Sequence, residues 1–80
     1  MVQISETWAY VFIYTSQPRK VVQQIRNISG VQKADALFGS PDAIAIVQGE
    51  DLVAMDAVID KIVAVEGVEH TDSKVARWIE

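Results

Sequence analysis

The segment IRNISGVQKAD, beginning at Ile25, is echoed thirty-seven positions later by IVAVEGVEHTD, beginning at Ile62. Ile25/Ile62, Ile28/Val65, Gly30/Gly67, Val31/Val68 and Asp35/Asp72 all align at that one offset. Each copy reads as the end of a helix, a glycine stop and a strand that opens on valine. A chain of 80 residues that repeats a strand–helix–strand unit has the order βαββαβ. That order predicts a ferredoxin-like α+β domain over residues 1–80: a four-stranded antiparallel sheet with both helices on one face. Right-handed crossovers then put the first and third strands in the centre.

The local patterns agree with this frame. TWAYVFIYTS (Thr7 to Ser16) is aromatic and β-branched, reads as a strand, and is apolar on both faces. Trp8, Tyr10, Phe12 and Tyr14 point one way; Ala9, Val11, Ile13 and Thr15 point the other. A helix follows from Pro18 to Ile28, with Ser16 or Gln17 as cap and Val21, Val22, Ile25 and Ile28 on one stripe. Val31 to Phe38 is a weaker strand, interrupted by Lys33 and Asp35. Gly39–Ser40–Pro41–Asp42 is a turn, and Ala43 to Gln48 is a short buried strand. A second helix runs from Asp51 to Val65, with Leu52, Met55, Ile59 and Ile62 on its stripe, widened by Val58 and Val63. VEHTDSKVARWIE is the last strand.

Composition narrows the function classes. There are no cysteines and one histidine, His70, so disulfides, iron–sulfur clusters and histidine clusters are ruled out. Seven basic and eleven acidic residues give a net charge of −4, and Arg19–Lys20 beside Arg26 is too small a patch for nucleic acid. No apolar run reaches the roughly 20 residues that span a bilayer. The protein is expected to be cytoplasmic. Two helices cover only one face of the sheet, and the small side chains of Ala9, Val11 and Ile13 suit that side. Trp8, Tyr10, Phe12 and Tyr14 are then left on the uncovered face, where an apolar patch of this size marks an interface. The simplest cover is a second copy related by two-fold symmetry.

ISGVQKADALFGSPDAIAIVQGED, a helix, and then VEGVEHTDSKV resemble the effector-binding (RAM) module of the Lrp/AsnC transcriptional regulators. That family places G-V after each helix, here Gly30–Val31 and Gly67–Val68. It places G-x-x-D at the turn between the second and third strands, here Gly39 and Asp42. It opens the last strand with G-V-x-x-T-x-T/S, here ending in Thr71 and Ser73. The order and spacing of these short pieces carry the resemblance over nearly the whole chain. Full-length family members add an N-terminal helix-turn-helix for which 80 residues leave no room, so the resemblance is to the stand-alone module. It implies a dimeric α+β barrel, joined through the sheets and often assembled into rings of four dimers. It further implies that amino acids or related metabolites bind between dimers, near the turn and the last strand. Pairing with longer Lrp/AsnC regulators belongs to the same expectation.

The ligand-contact candidates are accordingly Gly39, Ser40, Pro41, Asp42, Thr71 and Ser73. Exposed backbone N–H groups suit a carboxylate, and the Asp42 carboxylate suits an ammonium group. The same residues also read simply as a hairpin turn and as strand hydroxyls. Asp72 points to the opposite face from Thr71 and Ser73 and shares its place with Asp35, which suggests a structural role common to both. His70 has no nucleophile or orienting partner in the pattern, so no catalysis, metal or cofactor is expected. Two rival readings share the architecture. A dimeric α+β barrel monooxygenase needs a functional histidine or a polar cluster inside the barrel. An ACT-type amino-acid-binding domain places a glycine in the turn after the first strand, where TSQPRK has none.

Overall fold

The computed structural model describes residues 7–77 and 79. The elements run β1 (Thr7–Tyr14), α1 (Pro18–Ile25), β2 (Val31–Ala36), β3 (Ala43–Gly49), α2 (Leu52–Val63) and β4 (His70–Val75). The sheet order is β2-β3-β1-β4, antiparallel throughout. The two strands with apolar residues on both faces therefore occupy the centre, as the repeat requires.

The core lies between the sheet and the helices. Ala9, Val11 and Ile13 of β1 and Ala43, Ala45 and Val47 of β3 are fully buried there, with Ala34 of β2 beside them. Three of the six central-strand residues are alanines, so the helix axes can come close to the sheet. Val21, Val22 and Ile25 of α1 and Met55 and Ile62 of α2 fill the space above. Asp51 caps α2 by accepting the Ala54 N–H on its carboxylate at 2.8 Å. Gln17 precedes α1 without a side-chain cap, and Pro18 supplies the helical φ instead.

The elements are shorter than their patterns suggest, for local reasons. After Ile25 the chain tightens into a turn, in which Ile28 donates its N–H to the Ile25 carbonyl. Ile28 leaves the helix but still packs on the core. β2 stops at Ala36, and Leu37 and Phe38 belong to the turn, where Phe38 is fully exposed. Leu52 and Val63, placed on the apolar stripe of α2 by their spacing, are mostly exposed, 60% and 50%. That stripe is wider than the part of the sheet beneath it.

Gly30 and Gly67 end the two helix–strand turns in the same left-handed conformation, with φ of +98° and +102°. At Gly30 a Cβ would lie 2.5 Å from a Val58 methyl. Gly30→Ala combines backbone strain with a clash, and we expect it to cost at least about 1–2 kcal/mol of stability. Urea denaturation checks this, and an unchanged midpoint would show that the junction tolerates a side chain.

Candidate functional site

The first feature of this end of the molecule is a polar knot at the close of β1. The row Ala9, Val11, Ile13 continues inward as Thr15, a hydroxyl where the pattern calls for another apolar side chain, and Thr15 is buried. Its Oγ1 hydroxyl donates to the Gly67 carbonyl at 2.6 Å and accepts the Gln17 N–H at 3.0 Å. Its backbone N–H donates to Oδ2 of Asp42 at 2.9 Å. Asp42 in turn donates its own N–H to the Ile13 carbonyl at 3.0 Å, and its carbonyl accepts the Leu37 N–H at 2.8 Å. Thr15 thus ties the end of β1 to the β2–β3 turn and to the α2–β4 turn. Position counts alone did not single it out; the signal was a lone hydroxyl ending a wholly apolar row.

The candidate ligand residues sit around this knot. Gly39 and Ser40 are exposed at the tip of the turn, Pro41 and Asp42 are half-buried, and the Ser40–Pro41 peptide bond is cis. Ala43, Ile13 and Thr71 are aligned in one row across three strands. The turn and the start of β4 therefore share one end of the sheet, with the backbones of Ala43 and Thr71 roughly 10 Å apart. Ser73 lies one row further along, opposite Val11. Thr71 and Ser73 share the helix side of the sheet, and Asp72 takes the other side. In a single chain these groups form a rim rather than an enclosed cavity.

A cleft of about 460 Å³ does include Ser73. It lies between α2 and β4, lined by Leu52, Val53, Met55, Asp56 and Ile59 from the helix and by Ser73 and Val75 from the strand. A second, of about 380 Å³, lies at the start of α1 among Ser16, Pro18, Arg19 and Lys20. Among the described residues no group of three His, Cys, Asp or Glu side chains is placed to hold a metal ion. Nor is any described helix long and apolar enough to cross a membrane.

The open face of the sheet carries the predicted aromatic row. Trp8, Phe12 and Tyr14 are half-buried by their neighbours and Tyr10 is 42% exposed. Ile44 and Ile46 of β3 stand beside Phe12 and Tyr10 in register. The Tyr14 and His70 rings lie 5.3 Å apart at one end. Charged pairs flank the row on both edge strands: Lys33–Asp35 at 3.5 Å on β2 and Lys74–Asp72 at 3.4 Å on β4. The two aspartates of the repeat therefore do occupy equivalent places, each at the end of one row, Asp35–Ile44–Phe12–Asp72.

The Lrp/AsnC ligand binding domain model matches residues 9–77. The chain belongs to that family. Its members are the effector-binding parts of transcription regulators, and this chain has their fold. TTHA0845 from Thermus thermophilus superimposes with a TM-score of 0.83 at 25% identity, over 92% of this chain and 96% of its own. The hypothetical protein PHS023 from Pyrococcus horikoshii gives 0.80 at 21%, over 91% and 92%. AsnC of E. coli gives 0.82 at 14% identity, with 95% of this chain covering 54% of AsnC. No curated protein matches.

The knot makes a direct prediction. Asp42→Ala leaves the buried Thr15 N–H without its acceptor and should cost about 1–3 kcal/mol. Asp42→Asn keeps an acceptor oxygen and should recover most of that loss. Equal stability of all three proteins in urea would remove Asp42 from the knot.

Proposed function

We propose that this Lrp/AsnC-type domain is a non-enzymatic effector module that binds an amino acid or a related metabolite and acts as a sheet-to-sheet homodimer. The observation that carries the reading is the uncovered sheet face: Trp8, Tyr10, Phe12, Tyr14, Ile44 and Ile46 share it, and both helices pack on the other side. Burying a wholly exposed side chain of this kind gains on the order of 2 kcal/mol, and the fraction of each that is still exposed here drives self-association. A second copy laid over this face forms the dimeric α+β barrel, and further assembly of dimers is open to it. Phe12→Lys puts a charge in the middle of the face while leaving the core of the single chain untouched. It should convert the protein to monomer in light scattering at micromolar concentration; an unchanged mass would refute the aromatic face as the interface.

The effector site in this reading is the rim made by Gly39, Ser40, Pro41, Asp42, Thr71 and Ser73. Its supports are the G-x-x-D turn of the family and the place of the turn and β4 at one end of the sheet. Asp42 already uses one carboxylate oxygen on Thr15, which fixes the other relative to the sheet. A carboxylate held in this way suits an ammonium group. A rim this open needs a neighbouring copy to close it, which is why binding is tied to assembly. Action through longer Lrp/AsnC regulators, by the same interface, is part of the proposal, as is a cytoplasmic setting.

A thermal-shift screen against the twenty standard amino acids tests the ligand. Ligand at about 100 times its Kd adds roughly 2.7 kcal/mol, equivalent to roughly 10–20 °C in a domain of this size. Asp42→Asn, which keeps the fold, should weaken the hit about tenfold by removing the charge. No shift with any amino acid would reject the effector class, and equal affinity of the variant would reject Asp42.

A further inference from the structure

The turn that carries the candidate effector contacts also carries the most exposed aromatic ring among the described residues. Phe38 is fully exposed, at 109%, with Leu37 beside it at 40%. The rings of β1 are all less open, Tyr10 at 42% being the most exposed of them. Those rings share the sheet face, whereas Phe38 stands at the tip of a turn and leaves a large apolar surface in water. A lone exposed apolar residue is ordinary on a protein surface. This one is set apart by its neighbours.

The Leu37 N–H donates to the Asp42 carbonyl at 2.8 Å. Leu37 and Asp42 thus face each other at roughly the 5 Å spacing of paired strands, and Phe38 is the next residue out. Asp42 is itself held, by the Thr15 N–H on Oδ2 at 2.9 Å and by its own N–H on the Ile13 carbonyl at 3.0 Å. The turn therefore puts a free aromatic ring beside a fixed carboxylate. The space next to the ring is open as well: Gly39 has a φ of +101°, and a Cβ there would meet nothing within 4 Å. Gly30 and Gly67 share that left-handed conformation, but a Cβ on them would come within 2.5 Å of Val58 and 3.1 Å of Val21. Of the three, only Gly39 leaves room for a molecule from outside.

We propose that Phe38 is the specificity-determining residue of the effector site and selects effectors that carry an aromatic side chain. The inference rests on the effector reading above and names its ligand class. With the ammonium group of an amino acid on Asp42, the side chain extends away from the charge along the turn. The apolar groups there are Leu37, Phe38 and the half-buried Pro41, whereas Thr71 and Ser73 offer hydroxyls. Asp42 is the one charged side chain of the rim, so an acidic effector side chain finds no cation on it. Phe38 supplies a flat face without walls around it. A planar ring laid on such a face covers more of itself than a branched aliphatic chain does, and offset or edge-to-face ring pairs gain beyond the area they bury.

Calorimetric titration of phenylalanine, leucine and alanine into the full chain tests this. Phenylalanine should bind at least about tenfold more tightly than alanine, and more tightly than leucine. Phe38→Ala should lower the phenylalanine-to-alanine affinity ratio about tenfold, and Phe38→Trp, which keeps a flat face, should retain it. Because the Phe38 ring is fully exposed, both variants should melt with the wild-type protein when no ligand is present. Asp42→Asn separates the two readings: it removes the charge, so it should weaken all three ligands together and keep their ratio. Amino-acid binding without a preference for phenylalanine, or an unchanged ratio in Phe38→Ala, overturns the role of Phe38 and leaves the effector site standing. A changed particle mass of Phe38→Ala in light scattering assigns the ring to a contact between copies and overturns that role too. No binding of any standard amino acid by the wild-type protein overturns the effector reading, and this inference with it.

Discussion

Four strands and two helices cannot cover a sheet on both sides, and this limit organises the whole molecule. The chain assigns its small and branched residues to the side that the helices close: Ala9, Val11, Ile13, Ala43, Ala45 and Val47 are all fully buried. The alanines matter as much as the larger residues, because they let α1 and α2 sit low over the central strands. The aromatic side chains are left for the opposite face, where no helix among the described residues covers them. Burial in this fold is therefore incomplete by construction, and a domain of this size has little stability to spare.

Most of the architecture was legible because two periodicities coincide. Alternation in TWAYVFIYTS separates two apolar faces, and the repeat at one offset supplies the order of the elements. Positions that follow from these rules, such as the burial of Val21, Val22 and Ile25 or the cap at Asp51, are where the structure puts them. The misplacements occur where periodicity says nothing about width. Leu52 and Val63 are in phase with Met55 and Ile62, yet lie beyond the sheet surface that α2 covers. Helix spacing reports an angle around an axis, not the extent of the surface opposite.

The candidate site was legible only in part, for a different reason. The residues of the β2–β3 turn and of β4 could be picked out by type and order, and they do share an end of the sheet. What joins that end together is Thr15, through contacts to Gly67 and Asp42 at separations of 52 and 27 residues. No local pattern encodes a long-range hydrogen bond. Asp42 holds the turn against β1, and under the proposed function it would also offer a charge to a ligand, so a substitution there acts on both. Under that proposed role the structural bond would fix the charge in place, where a carboxylate without it would swing freely.

The two copies of the repeat are alike in sequence at five positions, yet they treat the two edges of the sheet differently. The first copy spends Arg26 on the Ala34 carbonyl and on Asp35, sealing β2. The second copy keeps the aspartate but pairs it with Lys74 on the same strand and carries Val63 where the arginine would be. A chain under pressure only to stay monomeric would gain from charge at both edges. The exposed apolar flank of α2, with Val53 80% and Val63 50% exposed, is instead costly for a solitary subunit. In the proposed function the open rim around Asp42, Thr71 and Ser73 would be closed by a neighbouring copy, so an effector bound there would meet residues of both chains.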